Sequence, residues 1–523
     1  MSFLSIDNNK KNMLWLFLIY TCSQGMLLLV TGRWWDDMTN VVRDVNALRE
    51  MMMQAGAYPL GYWVDYLGWH LSVPKVTFVI YFISTICFYN ILQAVGVTRQ
   101  SSFVIAALYA VIPLNDARIT WICFFYTISV CAFLVGVCLL IKMLHAHGLS
   151  KLILRVATMV LIVGISFWTQ SLLVFYALAL GYIVWQVGWW NSFKLYGDFW
   201  LAPLVFKVFK EIFAHPYGNY VGYNEITFLK LVRAVWVTVP ASLHVVGGVL
   251  ENAILSANAS VIVLIIISAF IIRDIGNREY VQLGESSVKG VAYGFIILYL
   301  GLFAYVVVRG RYSLDLIGPS GRDMLLAPMG VSVILYYLPS MLHIRNTMRN
   351  SLYALFIFLC VIHTNKIYIE YQIEEYHQQA LIKLLLENKE IEESQNVIMY
   401  INKIGSLNKL QVNRFYTLSG CATIAYGNES HFLLNTKNDL KHFVNGEKYA
   451  KREYNLSDWD YNYKRIDGVA LYENELDGKF WKLKYEQFFD NASFQDLLIE
   501  DAILLYQPLT QAQSDAIITE YGR

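Results

Sequence analysis

Charge is what this chain has least of. Asp, Glu, Lys and Arg make up 15% of its 523 residues, while hydrophobic residues make up 56%, against roughly 25% and 45–50% in ordinary soluble domains. The apolar residues come in long blocks, which excludes one large soluble core and points to a polytopic membrane protein. The net charge of +1 favours no partner by itself, and no nucleic-acid partner is expected. Cysteine is also uninformative as a scaffold. Cys22, Cys87, Cys123, Cys131, Cys138 and Cys360 lie inside apolar blocks and only Cys421 in polar sequence, so a disulfide framework is not expected. Lys10 and Lys11 precede a long apolar run with no small-residue cleavage site after it, which reads as a retained anchor and not a signal peptide. A Walker motif, a strand–GxGxxG–helix unit and HExxH are all missing, and Gly247-Gly248 alone is too weak to count. Internal repeats and low-complexity tracts are missing too.

What is present is a series of apolar blocks separated by short polar segments. Eleven spans are expected, at about 13–30, 73–95, 101–114, 119–141, 152–168, 172–190, 234–250, 261–272, 291–308, 324–342 and 352–362. The stretch 199–213 is apolar but broken by Pro203, Lys207, Lys210 and Glu211, and reads as an interfacial or re-entrant helix. From Thr364 the charges become frequent. The expected division is therefore a membrane domain over 1–363 and a C-terminal extracytoplasmic α+β domain over 364–523.

The positive residues orient the bundle. Lys10 and Lys11, Arg99, Lys142, Lys151 and Arg155, the basic residues between Lys194 and Arg233, Arg273 to Lys289, and Arg345 and Arg349 all fall on one side when eleven spans are counted. That side is read as the cytoplasm. The loops 31–72 and 308–323 and the C-terminal domain then share the other side.

On that other side lies the stretch Thr31-Gly32-Arg33-Trp34-Trp35-Asp36-Asp37-Met38, two adjacent carboxylates at the exit of the first span. Met38, Val41, Val45, Leu48 and Met52 follow at three- and four-residue spacing, one apolar stripe on a helix able to lie among lipid headgroups. Tyr58, Tyr62, Trp63, Tyr66 and Trp69 extend the aromatic character of an interface. Three arginines, Arg309, Arg311 and Arg322, sit just outside two spans, where arginine is disfavoured. A guanidinium's planar fork suits a lipid phosphate at that depth; the simpler alternatives are an interfacial anchor or an ion pair with Asp315 or Asp323.

Carboxylates and arginines together at a membrane surface fit transfer of a sugar from a lipid phosphate to an acceptor hydroxyl. Asp37 or Asp36 serves as general base and the arginines hold the phosphate leaving group. An aspartate in this position also caps helices, and one of the pair has that alternative role. Asp65 and His70 in the same loop, Asp116 and Arg118 after the third span, and Gln170 at the turn after the fifth are candidates to bind sugar or acceptor. Asp116 and Arg118 have the alternative of a simple ion pair, and His70 that of a packed, hydrogen-bonded residue.

This layout resembles the GT-C integral-membrane glycosyltransferases, and most of all the bacterial O-antigen-modifying, serotype-converting glucosyltransferases. The resemblance rests on Asp36-Asp37 in the first external loop, the amphipathic helix after it, the many spans and the external C-terminal domain. It implies an inverting transfer of a hexose from undecaprenyl phosphate to lipid-linked O-antigen at a bacterial inner membrane, with the N-terminus cytoplasmic. It carries the catalytic acid to Asp36 or Asp37 only. The donor lipid, the polysaccharide acceptor and membrane lipid are the expected partners. The first loop lacks a ligand cluster, so neither metal nor cofactor is expected. An O-antigen polymerase or ligase is a rival reading, since those enzymes rely on external arginines and histidines. A flippase or transporter is another, and it predicts repeats and mid-membrane charges that this sequence does not show. A membrane-anchored scaffold is the third.

Overall fold

A computed structural model describes residues 3–30, 32–34, 37, 45–56, 72–221, 226–255, 286–310, 314–394, 397–402, 415–427, 431–434, 466–474 and 502–521. Most of them are helical. Helix α1 covers Phe3–Gln24 and is followed by a 3-10 turn, Gly25–Leu28; α2 is Val45–Gln54, α3 Val73–Ala94, α4 Arg99–Val111, α5 Phe124–His145 and α6 Gly148–Met159. Then come α7 (Ser171–Phe175), α8 (Ala177–Val187), α9 (Trp189–Phe213), α10 (Phe228–Leu255), α11 (Ser286–Arg309), α12 (Ala327–Met341) and α13 (Asn346–Glu387). Among the described residues, six helices are long and apolar enough to cross a membrane, and 171–187 and 327–341 form shorter apolar helices. The expected span at 261–272 lies outside the described residues.

Local sequence explains the helix ends. α3 starts behind Ser72 with Pro74 in its first turn, where a missing N–H costs nothing. It stops before Gly96, at φ 90°. The Thr98 hydroxyl then accepts the Ser101 N–H at 3.3 Å and caps α4. Pro113 ends α4 by forcing Ile112 to an extended backbone, φ −56° and ψ 122°. Short as it is, α4 is buried at every residue from Ser101 to Val111. It is the centre of the bundle and not a marginal span. α11 and α12 approach closely because neither carries bulk at the contact: a Cβ on Gly330 would lie 2.5 Å from the Leu298 nitrogen, and one on Gly294 would lie 2.9 Å from the Ile334 nitrogen.

Two expectations change. The interrupted segment 199–213 belongs to α9, one 25-residue helix kinked at Tyr196 with Pro203 inside it. α9 runs parallel to the helical segment Gly148–Trp168, which begins with α6. Arg155 donates to Asp198 at 2.8 Å near one end, while Trp168 packs on Phe206 and Phe209 near the other. Beyond it, the Tyr217 N–H donates to Gln54 O at 3.0 Å and the Tyr217 hydroxyl to Glu50 at 3.0 Å. Residue 217 therefore meets α2, on the first loop, and the segment 194–233 does not lie wholly opposite that loop. The reason is length: the part of α9 beyond the kink, 197–213, reaches about 26 Å and carries the chain past Lys207 and Lys210 towards α2.

The expected domain boundary at 363–364 falls inside α13, a continuous 42-residue helix. Its packing changes partner along its length. Tyr368 and Tyr371 belong to the core of the bundle, while Ala380, Leu381 and Leu385 pack with Ile398, Leu418 and Ala422 in a second core. That second core backs a four-stranded sheet made of β1 (Val397–Asn402), β2 (Phe432–Leu434), β3 (Ile466–Asn474) and β4 (Ala502–Pro508), in the order β2-β1-β3-β4. β1 is parallel to β2 and β3, and β3 is antiparallel to β4. Helix α14 (Lys389–Glu393) links α13 to β1, α15 (Phe415–Tyr426) packs on α13 and β2, and α16 (Gln511–Tyr521) follows β4.

Candidate active site

The segments after α1, α4 and α11 meet at one end of the bundle, against the middle of α13. Asp37 is 3% exposed. Its two carboxylate oxygens accept the N–H groups of Trp121, at 2.7 Å, and Ile122, at 2.9 Å. These amides belong to the 3-10 turn that leads into α5, so they are donors that the helix itself leaves unsatisfied, and a carboxylate there also meets the positive end of the helix dipole. Asp37 thus caps a helix distant in sequence. Trp34 comes inside with Asp37. It is fully buried, donates its indole N–H to Tyr371 O at 2.8 Å and stands edge-on to the Tyr371 ring, 5.4 Å between centroids. Its place is in the core and not in an interfacial belt.

Asp116 is the second buried carboxylate. It follows Asn115, whose left-handed backbone (φ 59°) turns the chain sharply after Pro113. Both its oxygens accept the Gly318 N–H, at 3.0 and 2.8 Å, and one also accepts the Tyr371 hydroxyl at 2.9 Å. Gly321 must be glycine for this approach, since a Cβ there would lie 2.6 Å from an Asp116 oxygen. Burial pushes the Asp116 carboxyl up to about 6, against the opposing effect of the bonds from Gly318, Tyr371 and the nearby Arg118 charge.

Arg118 makes no ion pair with Asp116. Its Nε donates to Asn115 O at 2.7 Å, one terminal nitrogen donates to Leu114 O, and the guanidinium lies 4.0 Å over the Tyr81 ring. Its other terminal nitrogen, Nη1, is buried with no hydrogen-bond partner. Around it the polar core continues. Tyr81 donates to Tyr109 O at 2.8 Å, Tyr368 donates to Gln24 at 2.6 Å, and Gln24 donates to Ala110 O at 2.9 Å.

Of the three loop arginines, Arg309 pairs with the buried Asp323, Nε to carboxylate at 2.8 Å. This is one of the simpler alternatives expected for it. Arg322 is half-buried in the 3-10 turn Pro319–Met324, the loop that clamps Asp116. Arg311 lies outside the described residues, as do Asp36, Asp65 and His70. Gln170 is exposed at the start of α7. The structure thus gathers Asp37, Asp116, Arg118 and the 314–324 loop. It adds Gln24, Trp34, Gly318, Tyr368 and Tyr371, which sequence reasoning missed. Gln24 had a signal, a polar amide inside the first apolar run. Trp34 stood beside the acid pair in the same stretch, while Gly318, Tyr368 and Tyr371 had no signal, because backbone donors and tyrosines on a distant helix carry no local pattern. Among the described residues no group of His, Cys, Asp and Glu is arranged to hold a metal ion. No protein-family model, curated protein or solved structure matches the chain.

Proposed function

We propose that this chain is a membrane-embedded glycosyltransferase of the GT-C kind. It transfers a hexose from a polyprenyl phosphate to a lipid-linked bacterial surface polysaccharide, with the Asp36-Asp37 pair supplying the general base. The observation that supports this reading is the placement of Asp37. A carboxylate at the exit of the first helix is fixed by two helix-end amides, within the same short stretch that carries Asp116 and Arg118 and beneath the loop between α11 and α12. The two amide bonds fix the orientation of the carboxylate that would take the proton of an acceptor hydroxyl. Arginine at the same end supplies charge for the phosphate leaving group. Asp65, His70 and Gln170 are the remaining candidates for the sugar and the acceptor, and the C-terminal unit selects the acceptor. On this reading the chain lies in the inner membrane with the site on the extracytoplasmic side.

The test replaces each acid singly by Asn in the full chain reconstituted in lipid, with transfer measured from a synthetic polyprenyl-phosphate hexose. Loss of a general base is expected to lower the rate about 100-fold or more in one variant, while its thermal unfolding midpoint stays near that of the wild type. Full activity in both folded variants would remove the proposal.

A further inference from the structure

Arg118 is an unusual cation for a protein interior. It is 3% exposed, and a buried guanidinium is ordinarily neutralised by a carboxylate. Here the nearest acid in sequence, Asp116, spends its oxygens on Gly318 and Tyr371. The groups against Arg118 are two backbone carbonyls, the face of Tyr81 and the neighbouring Tyr20, Tyr109 and Tyr368. None of these is an anion at neutral pH, and the one carboxylate nearby, Asp116, acts on Arg118 through space without a hydrogen bond to it. Its Nη1 donates to nothing. The position is built: the Asn115 turn and the Leu114 and Asn115 carbonyls hold the guanidinium plane, and the Thr77 hydroxyl bonds the Arg118 carbonyl at 3.3 Å. Three residues on, the chain offers the amides that bind Asp37. Arg309 shows the contrast, because Asp323 already compensates its charge.

We infer that Arg118 is the anion-receiving group of this end of the bundle and that its Nη1 takes a phosphoryl oxygen. This rests on the glycosyl-transfer reading and deepens it, by moving the principal phosphate contact from the loop arginines to a residue in the stretch that Asp37 braces. The recognised chemistry is a phosphate ester. A planar donor pair fixed by carbonyls gives direction as well as charge, and the surrounding low dielectric strengthens the contact.

The experiment uses the full chain in nanodiscs and reads the shift in thermal midpoint with farnesyl phosphate, with farnesol and with inorganic phosphate. Wild type is expected to bind farnesyl phosphate at least tenfold more tightly than farnesol. R118Q is expected to abolish that preference, and R155Q, which breaks the α6–α9 ion pair with Asp198, to keep it. A shift with inorganic phosphate that is absent in R118Q means that the phosphate alone is read. A shift confined to farnesyl phosphate means that the lipid is read with it. Both support the assignment. Where R118Q does not fold, R118K keeps a charge without the fork and is expected to bind about tenfold more weakly. A folded R118Q or R118K with the full wild-type preference overturns the inference, as does a wild type that does not distinguish farnesyl phosphate from farnesol. Arg118-dependent binding of farnesyl phosphate, with full transfer retained in both Asp36→Asn and Asp37→Asn, would instead count against the general-base reading alone, so the two fail separately.

Discussion

Protonation of Asp116 changes what the loops around it can hold. Its carboxyl titrates at about 6 in the fold against an ordinary value of 3.8, so the folded chain binds this proton more tightly than the unfolded chain. The sign follows directly. The contribution to stability is fully present below about 4 and is lost as pH rises through about 6, a difference of about 3 kcal/mol for roughly two pH units. D116N is expected to remove that slope, so the wild-type midpoint should fall relative to that of D116N between pH 4.5 and 6.5 and run parallel above it. Thermal unfolding in one detergent across that range checks this, and parallel curves throughout would contradict it. At this scale the sequence was legible wherever a residue's own type carried the information. Asp37, Asp116 and Arg118 stood out as polar residues at the ends of apolar runs, and Asp323 as a partner for Arg309. Their contacts were not legible, because the Gly318, Trp121 and Ile122 groups that bind the two carboxylates are backbone amides, which look alike at every position.

Helix α4 and the α11–α12 pair show what decides an element in this fold. A run of 13 residues is too short to cross the roughly 30 Å hydrocarbon layer, yet α4 is buried from Ser101 to Val111 because longer helices pack around it. Span length was the wrong measure for it, and residues such as Ser101 and Ser102 at its start hinted at protein neighbours and not lipid. For α11 and α12 the deciding feature is the missing side chain. G330A is expected to cost about 1–3 kcal/mol, because the added methyl would meet the Leu298 backbone, which cannot rotate away. G181A, within α8 and with nothing within 4 Å of the added carbon, is expected to stabilise by about 0.5–1 kcal/mol through helix propensity. Opposite shifts of the two thermal midpoints are the expected outcome, and equal shifts would mean that packing does not govern the α11–α12 contact. The parallel course of α6 and α9 was hidden for a different reason. Lys207 pairs with Glu211 one turn away, so charges that count against a span in sequence are partly cancelled on the helix itself.

For the whole molecule, α13 is the member shared by both cores; the change in composition at Thr364 falls within it, and its packing passes from one core to the other between Tyr371 and Ala380. One alanine inserted after Gln372 would turn everything beyond it by about 100°. Trp34 and Asp116 would keep Tyr371, while Ala380, Leu381 and Leu385 would leave the sheet. Limited proteolysis is then expected to release the C-terminal unit at protease levels that spare the wild type; unchanged resistance would show that the two cores are not coupled through this helix. The shared helix also sets a clearance. Forty-two residues extend about 63 Å, roughly twice the hydrocarbon thickness, and from Tyr371 at the Asp116 contact to Ala380 in the second core is about 14 Å of rigid rise. The sheet is thus carried on the same continuous helix that meets Asp116, and the length of that helix sets how far the second core stands from the buried acid.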